Sequence, residues 1–132
     1  MSKAQQYNLY FGFSNFNAIN IPKIGIPLVN GESKNYEIAS FLEPNGIINI
    51  ESIRFDVKAF LFSNEPIDDI NIWGHHDAEC IQYRHHPPNP PVIIFNTGGR
   101  EVEVPVSDFL QILDEWEAFV KSVPKPHWLE NR

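Results

Sequence analysis

The residues best suited to chemistry lie in one short stretch of the sequence. Four of the five histidines fall within twelve residues, together with carboxylates and the single cysteine. The members of this histidine segment are His75, His76, Asp77, Glu79, Cys80, His85 and His86. Imidazole, carboxylate and thiolate groups are all zinc ligands. The segment therefore supports one hypothesis, a metal-binding or small-molecule-binding domain rich in β-structure.

The spacing of the histidines limits that hypothesis. The pattern of residues 78–84 predicts a strand, which would hold the two histidine pairs about 30 Å apart. The ligands of one zinc ion lie about 2 Å from it, so the two pairs cannot share an ion. A metal site would need His75 or His76 together with ligands from elsewhere in the chain. We expect solvated loop histidines instead, with no bound metal and no cofactor.

Patterns of nucleophilic catalysis are absent from the sequence. Cys80 falls within a strand pattern, where a free cysteine packs as a small hydrophobic residue rather than as an activated thiolate. The chain has no Gly-x-Ser-x-Gly elbow, and Gly98-Gly99-Arg100 lacks the rest of a phosphate-binding loop. We therefore expect a protein that is not an enzyme.

Composition indicates a small acidic globular protein. The chain has 132 residues, 42% of them hydrophobic, and a net charge of −7. A chain of this length buries about two thirds of its surface on folding, which predicts a single domain over residues 1–132. The negative charge disfavours nucleic acid and anionic membranes as ligands, and no apolar run approaches the roughly 18 residues of a membrane span. A single cysteine fits a cytoplasmic location.

Hydrophobic periodicity predicts mostly strands before a final helix. Alternating residues predict strands at 7–13 and 36–42, the longest one at 47–62, and hairpins around residues 74–77 and 96–99. Residues 19–28 also alternate, but Pro22 and Pro27 interrupt them, so either an edge strand or an extended loop is predicted there. The one predicted helix covers residues 107–123, with Phe109, Leu113, Trp116 and Val120 on its apolar face, Ser107 as N-cap and Pro124 after its end. The fold class expected is α+β, a mostly antiparallel β-sheet of about six to eight strands with one C-terminal helix packed on it.

Acidic residues concentrate in two segments that carry no basic residue. Five acids lie between residues 59 and 83 and six between 101 and 118, which together make up 11 of the 17 in the chain. Such a distribution serves solubility, and it also suits a surface that meets a basic partner. The first segment is the better candidate because its acids are predicted in loops and at a hairpin tip, where binding residues concentrate. The partner-binding residues predicted there are Asp68, Asp69, Trp73, His76, Asp77 and Glu79.

The end of the chain resembles a known group of proteins. The residues that carry the likeness are Val104-Pro105-Val106-Ser107-Asp108-Phe109-Leu110 and Leu113-Asp114-Glu115-Trp116. This run, on a small acidic β-rich chain that ends in a helix, resembles the immunity proteins of bacterial polymorphic-toxin and contact-dependent growth inhibition systems. The resemblance implies a non-enzymatic protein that binds a cognate toxin domain and blocks its activity. If that toxin is a nuclease, the acids named above would take positions meant for phosphates.

A third hypothesis is a structural subunit of a larger assembly. It depends on the strand predicted at 19–28, whose two prolines are typical of a sheet edge. Such an edge would be open to pairing with another chain. The sequence leaves the oligomeric state open.

Overall fold

The computed structural model describes residues 1–45, 47–74 and 79–124. Its helices and strands alternate irregularly along the chain, and every strand pair is antiparallel. In chain order the elements are α1 (Lys3–Gln6), β1 (Tyr10–Phe16), β2 (Ile19–Gly25), β3 (Leu28–Val29), β4 (Glu32–Ser33), α2 (Tyr36–Leu42), α3 (Ile47–Ser63), β5 (Ile67–Gly74), β6 (Glu79–His85), β7 (Val92–Thr97), β8 (Arg100–Pro105) and α4 (Val106–Ser122). The α+β class and the C-terminal helix packed on the sheet are confirmed.

The strands form three sheets. Strands β1 and β2 make one hairpin, β3 and β4 a second, and the order β5-β6-β7-β8 makes a four-stranded sheet. The hairpin turns at Asn17-Ala18 and Gly98-Gly99 have positive φ at both central residues, as a two-residue turn with the twist of the strands requires. The hairpin predicted around residues 96–99 is therefore present. Strands β5 and β6 also pair antiparallel, as the hairpin predicted around residues 74–77 requires, and turn residues 75–78 lie outside the described residues.

The core lies between one face of the four-stranded sheet and three helices. This inner sheet face presents alternate residues of its strands, and α2, α3 and α4 pack against them. The buried cluster includes Ile81, Tyr83, Ile93, Phe95 and Val104 from the sheet, and Ile38, Phe41, Ile53, Val57, Phe109, Leu113 and Trp116 from the helices. The hairpin β1–β2 joins this core through Phe11, whose ring lies 5.0 Å from that of Trp116.

Two predicted strands are helices. Residues 36–42 form α2, and residues 47–62 lie in α3, so the prediction of a single helix was wrong. In α3 the buried residues are Ile50, Ile53 and Val57, which follow helical spacing. Asn64 ends the helix in a left-handed conformation with φ of 53°. The segment also alternates with period two, and packing against the core selected the helical face.

Two boundaries also differ from the predictions. The first strand begins at Tyr10 rather than at residue 7. Helix α4 begins at Val106, so Ser107 lies inside its first turn, and the N-cap Pro105 makes no side-chain capping bond. Since β8 runs directly into α4, the strand itself fixes where this helix begins.

Candidate partner-binding site

The two consecutive acids of the first acidic segment lie in a strand, not in a loop. Asp68 and Asp69 belong to β5, where the pairing with β6 shifts register between Ile67 and Ile70. Asp69 has a positive φ of 27° within this irregularity. Because a bulge breaks strict alternation, the side chains of neighbouring residues can lie on the same part of the surface. In the sequence, Asp68-Asp69 interrupts the apolar pattern between Ile67 and Ile70, which is why the pattern predicts a loop there rather than a strand.

Both carboxylates have partners at the end of β6. The Oδ1 of Asp68 lies 2.7 Å from Nε2 of His86, and Asp68 stays 88% exposed. Asp69 accepts two hydrogen bonds from the Arg84 guanidinium, at 2.5 and 2.8 Å. The hydrogen bonds from Arg84 hold the pKa of the Asp69 carboxyl below its usual range, so this group is ionised at neutral pH.

Arg84 joins the first acidic segment to the second. Its Nη1 also donates to Oε1 of Glu103 on β8, at 3.1 Å. Arg84 lies outside the base-free segment by one residue, and only the antiparallel pairing of β5 with β6 brings it beside Asp69. The arginine thus lies between carboxylates from two different strands and offsets part of their charge.

The side chains of Trp73 and Glu79 lie on the helix side of the sheet. The Trp73 ring packs edge-on against Phe41 of α2 with centroids 5.2 Å apart. Glu79 accepts a hydrogen bond of 2.6 Å from the hydroxyl of Ser40, also on α2. Both residues are only partly exposed, and their observed contacts connect the β5–β6 hairpin to α2.

The remaining two predicted site residues, His76 and Asp77, lie outside the described residues, as does His75. The described strands end at Gly74 and resume at Glu79. Gly74 has a positive φ of 83°, and a side chain there would collide with the backbone carbonyl of Glu79. The glycine therefore permits the close approach of the two strands at this end of the hairpin.

The face of the four-stranded sheet opposite the helices carries further acids. We call this the outer sheet face. It presents Asp69 from β5, Cys80, Gln82 and Arg84 from β6, Ile94 and Asn96 from β7, and Glu101 and Glu103 from β8. The alternation in Glu101-Val102-Glu103-Val104 predicts this acidic face from the sequence. If the valines of such a strand face the core, the glutamates face the opposite side of the sheet.

Two residues near the centre of the outer sheet face are buried. Cys80 and Ile94 are each at most 1% exposed, although neither belongs to the main core cluster. Burial raises the pKa of the Cys80 thiol, and the charge of Glu101 raises it further. A protonated, buried thiol is a poor nucleophile, which agrees with the expectation of a small hydrophobic role.

The acids of α4 are largely committed to contacts within the fold. The carboxylate of Glu115 accepts from the backbone N–H groups of Lys3 and Ala4, at 2.9 and 2.8 Å, at the start of α1. Glu117 pairs with Arg54 of α3 at 2.7 Å. The second acidic segment therefore serves partly to position other helices on α4, and the partners Lys3, Ala4 and Arg54 are too distant in sequence to be foreseen.

The histidines of the described region do not converge. His85 is buried at the end of β6, where its Nδ1 has no hydrogen-bond partner among the described residues. His86 bonds to Asp68 instead. Within residues 1–45, 47–74 and 79–124, no three His, Cys, Asp or Glu side chains are grouped so that they could hold a metal ion.

The edge of β2 is only partly available for pairing. The two-residue turn after Phe16 places Pro22 and Ile24 at positions that face away from β1. Pro22 has no N–H to donate, and the N–H of Ile24 donates to Oε2 of Glu43 at 3.2 Å. Beside this edge, a groove of about 580 Å³ separates β2 from α2. Pro22 and Glu43 thus protect the edge on which the assembly hypothesis depends.

Comparison with protein-family models, curated proteins and solved structures finds no match to this chain. No helix in the described parts of the chain combines the length and apolar character needed to cross a membrane.

Proposed function

We propose that this chain is an immunity protein, which binds a cognate toxin domain and neutralises it through the outer sheet face and the adjoining end of β5. It acts by binding rather than by catalysis, and it acts in the cytoplasm. The contact surface comprises Asp68, Asp69, Glu101 and Glu103. This surface retains the two aspartates expected from the sequence and adds the two glutamates of β8.

The observation that supports the proposal is the arrangement of these four carboxylates. They come from the two edge strands of the four-stranded sheet. Arg84 pairs with Asp69 and Glu103, and His86, when protonated, pairs with Asp68. Since the strands are hydrogen-bonded to their neighbours, the backbone that carries the carboxylates keeps its spacing, and no loop has to be ordered on binding. A fixed negative surface accelerates encounter with a basic partner and disfavours acidic ones.

The chemistry of the partner follows from the same surface. A toxin domain that acts on nucleic acid has a basic groove for phosphates, and carboxylates on a rigid sheet would occupy that groove. Glu101 and Glu103 are exposed, and they are two residues apart on one strand, about 7 Å from each other. A nuclease domain is therefore the class of toxin that this surface suits best.

Co-expression tests the function directly. The C-terminal domain encoded by the reading frame immediately upstream would be produced in bacteria with and without this protein, and growth would be measured. We expect the domain alone to arrest growth, and we expect this protein to restore growth and to co-purify with the domain. Toxicity that this protein does not relieve would refute the pairing and with it the immunity function.

A set of three substitutions tests the surface. Asp68→Asn, Glu101→Gln and Glu103→Gln together remove three negative charges from the proposed contact. We expect the affinity for the toxin domain, measured by calorimetry, to fall at least about tenfold, which corresponds to about 1.4 kcal/mol. The loss should shrink at high salt, because screening already weakens the wild-type contact.

The matched control removes three charges elsewhere. Glu32→Gln, Asp56→Asn and Asp114→Asn change exposed acids on β4, α3 and α4, and the net charge changes by the same amount. Affinity should stay within about twofold of wild type, since long-range charge effects are screened beyond about 10 Å. Equal losses in both variants would show that net charge, rather than the outer sheet face, determines binding.

A further inference from the structure

Helix α3 carries a row of large apolar side chains that face solvent. Ile48, Phe55 and Phe62 are 79%, 73% and 94% exposed. They are spaced by seven residues, so they lie in one line along the helix, about 10 Å apart. Large apolar side chains that are aligned on one exposed helix face can be buried against a second helix. We call this row the α3 stripe.

The residues beside the α3 stripe differ on its two sides. At about 100° per residue, Glu51 and Lys58 lie roughly 40–60° from Phe55 on one side, and Ser52 and Ala59 lie at similar angles on the other. One flank therefore carries opposite charges seven residues apart, and the other carries two small residues. Phe55 lies midway between the two ends of the stripe.

We propose that two copies of this chain pair through α3, antiparallel, about a two-fold axis that passes beside Phe55. In this arrangement Phe55 meets its own copy, and Ile48 of each chain meets Phe62 of the other. Glu51 then lies opposite Lys58 of the second copy, which gives two identical ion pairs. Ser52 lies opposite Ala59 of the second copy, so the helices approach closely on that flank.

The charges select this partner and this orientation. In a parallel pair with Phe55 again facing its copy, Glu51 would lie beside Ser52 of the second copy and Lys58 beside its Ala59, so neither charge would meet an opposite one. Only the antiparallel pair brings Glu51 and Lys58 together as two ion pairs. Seven residues make nearly two helical turns, so the three apolar side chains stay on one line and each meets its counterpart on an antiparallel neighbour. The α3 stripe thus matches itself in the order of its apolar residues and in charge.

The pairing leaves the rest of the molecule accessible. The inner face of α3 packs on the core through Ile50, Ile53 and Val57, and the stripe points the opposite way. The outer sheet face lies on the far side of the sheet from the helices. A dimer formed through α3 would therefore carry two outward-facing copies of that surface, and the inference does not depend on what the surface binds.

The mass in solution tests the pairing. Sedimentation and light scattering over about 1–500 μM should show a concentration-dependent species of twice the 15.2 kDa chain mass. Phe55→Glu would place two like charges at the two-fold axis, and we expect it to abolish the dimer with the thermal midpoint unchanged at low concentration. Phe16→Glu is the matched control, because Phe16 is another exposed phenylalanine, 65% accessible at the end of β1. A wild-type protein that stays monomeric throughout, or a Phe55→Glu dimer of wild-type affinity, would overturn the proposal.

Charge reversal tests the orientation separately. Glu51→Lys alone and Lys58→Glu alone should each weaken the dimer severalfold, because each creates two repulsive pairs. The double variant, Glu51→Lys with Lys58→Glu, should recover an affinity close to wild type. All four positions of the two ion pairs are exposed, so folding should be unaffected. A double variant as weak as the single ones would contradict antiparallel pairing, and so would single variants that dimerise normally.

Discussion

At the scale of single residues, the buried carboxylate of Glu37 depends on an ion pair that the sequence pattern does not reveal. Glu37 on α2 is 2% exposed, and its Oε1 pairs with Nη2 of Arg100 at 3.2 Å. Its Oε2 has no hydrogen-bond partner in the described parts of the chain. A buried charge is tolerated when it is paired, so Arg100, at the start of β8, stabilises the packing of α2 on the sheet.

Removing this arginine should therefore destabilise the protein more than its exposed position suggests. We expect Arg100→Gln to lower the free energy of unfolding by about 2 kcal/mol, because Glu37 then stays buried without its partner charge. Adding Glu37→Gln should recover part of that loss, since a neutral amide is easier to bury than a carboxylate. Urea unfolding of the wild type, both single variants and the double variant gives the coupling energy. Additive effects would show that the two side chains act independently.

At the scale of elements, α3 is the segment where two periodicities compete. Alternation places Ile53, Phe55 and Val57 on one face and so predicts a strand here. In the helix, Ile53 and Val57 are buried and Phe55 points to solvent. Both periodicities are compatible with the local sequence. The core cluster contains Ile53 and Val57 but not Phe55, which fits the helix and not the strand.

Two alanine variants distinguish the helix from the strand. We expect Ile53→Ala to lower the free energy of unfolding by about 2–4 kcal/mol, because it leaves a cavity in the core. Phe55→Ala should change it by less than about 0.5 kcal/mol, because the side chain is exposed in the single chain. The measurement is denaturant unfolding at low micromolar concentration, where association contributes least. Losses of similar size at both positions would support the strand.

The whole molecule is connected by ion pairs between distant elements. Lys3 reaches Asp108 at 3.3 Å, which joins α1 to α4. The pKa of the Asp108 carboxyl is lowered chiefly by the hydrogen bond from the Tyr7 hydroxyl, with Lys3 also contributing. Hydrogen bonds from Lys121 and Arg54 likewise lower the pKa of Glu117. Because these carboxyls bind protons less readily when folded, they link stability to pH.

Stability should therefore fall in acid. The contribution of Asp69, Asp108 and Glu117 is present above the ordinary carboxyl pKa of about 4 and is lost as the pH falls towards their lowered values. We expect a total loss on the order of 2 kcal/mol between pH 6 and pH 3, since solvent screens the partly exposed Asp69 pair. Urea midpoints across this range measure it, and Glu117→Gln should flatten the dependence. Midpoints that stay constant or rise on acidification would rule out this linkage.

The sequence by itself determined the class of the fold, the hairpins after residue 66 and helix α4, because these depend on local signals. Turn residues with positive φ and a strong helical repeat require little from the rest of the chain. Tertiary structure decided α2, α3 and the composition of the acidic surface. Arg84, Lys3 and Arg54, which bond to Asp69, Glu115 and Glu117 respectively, lie 15 to 112 residues away from them. A carboxylate that folding pairs with an arginine and one left in water look alike in a sequence, since only the folded chain brings the opposite charge near.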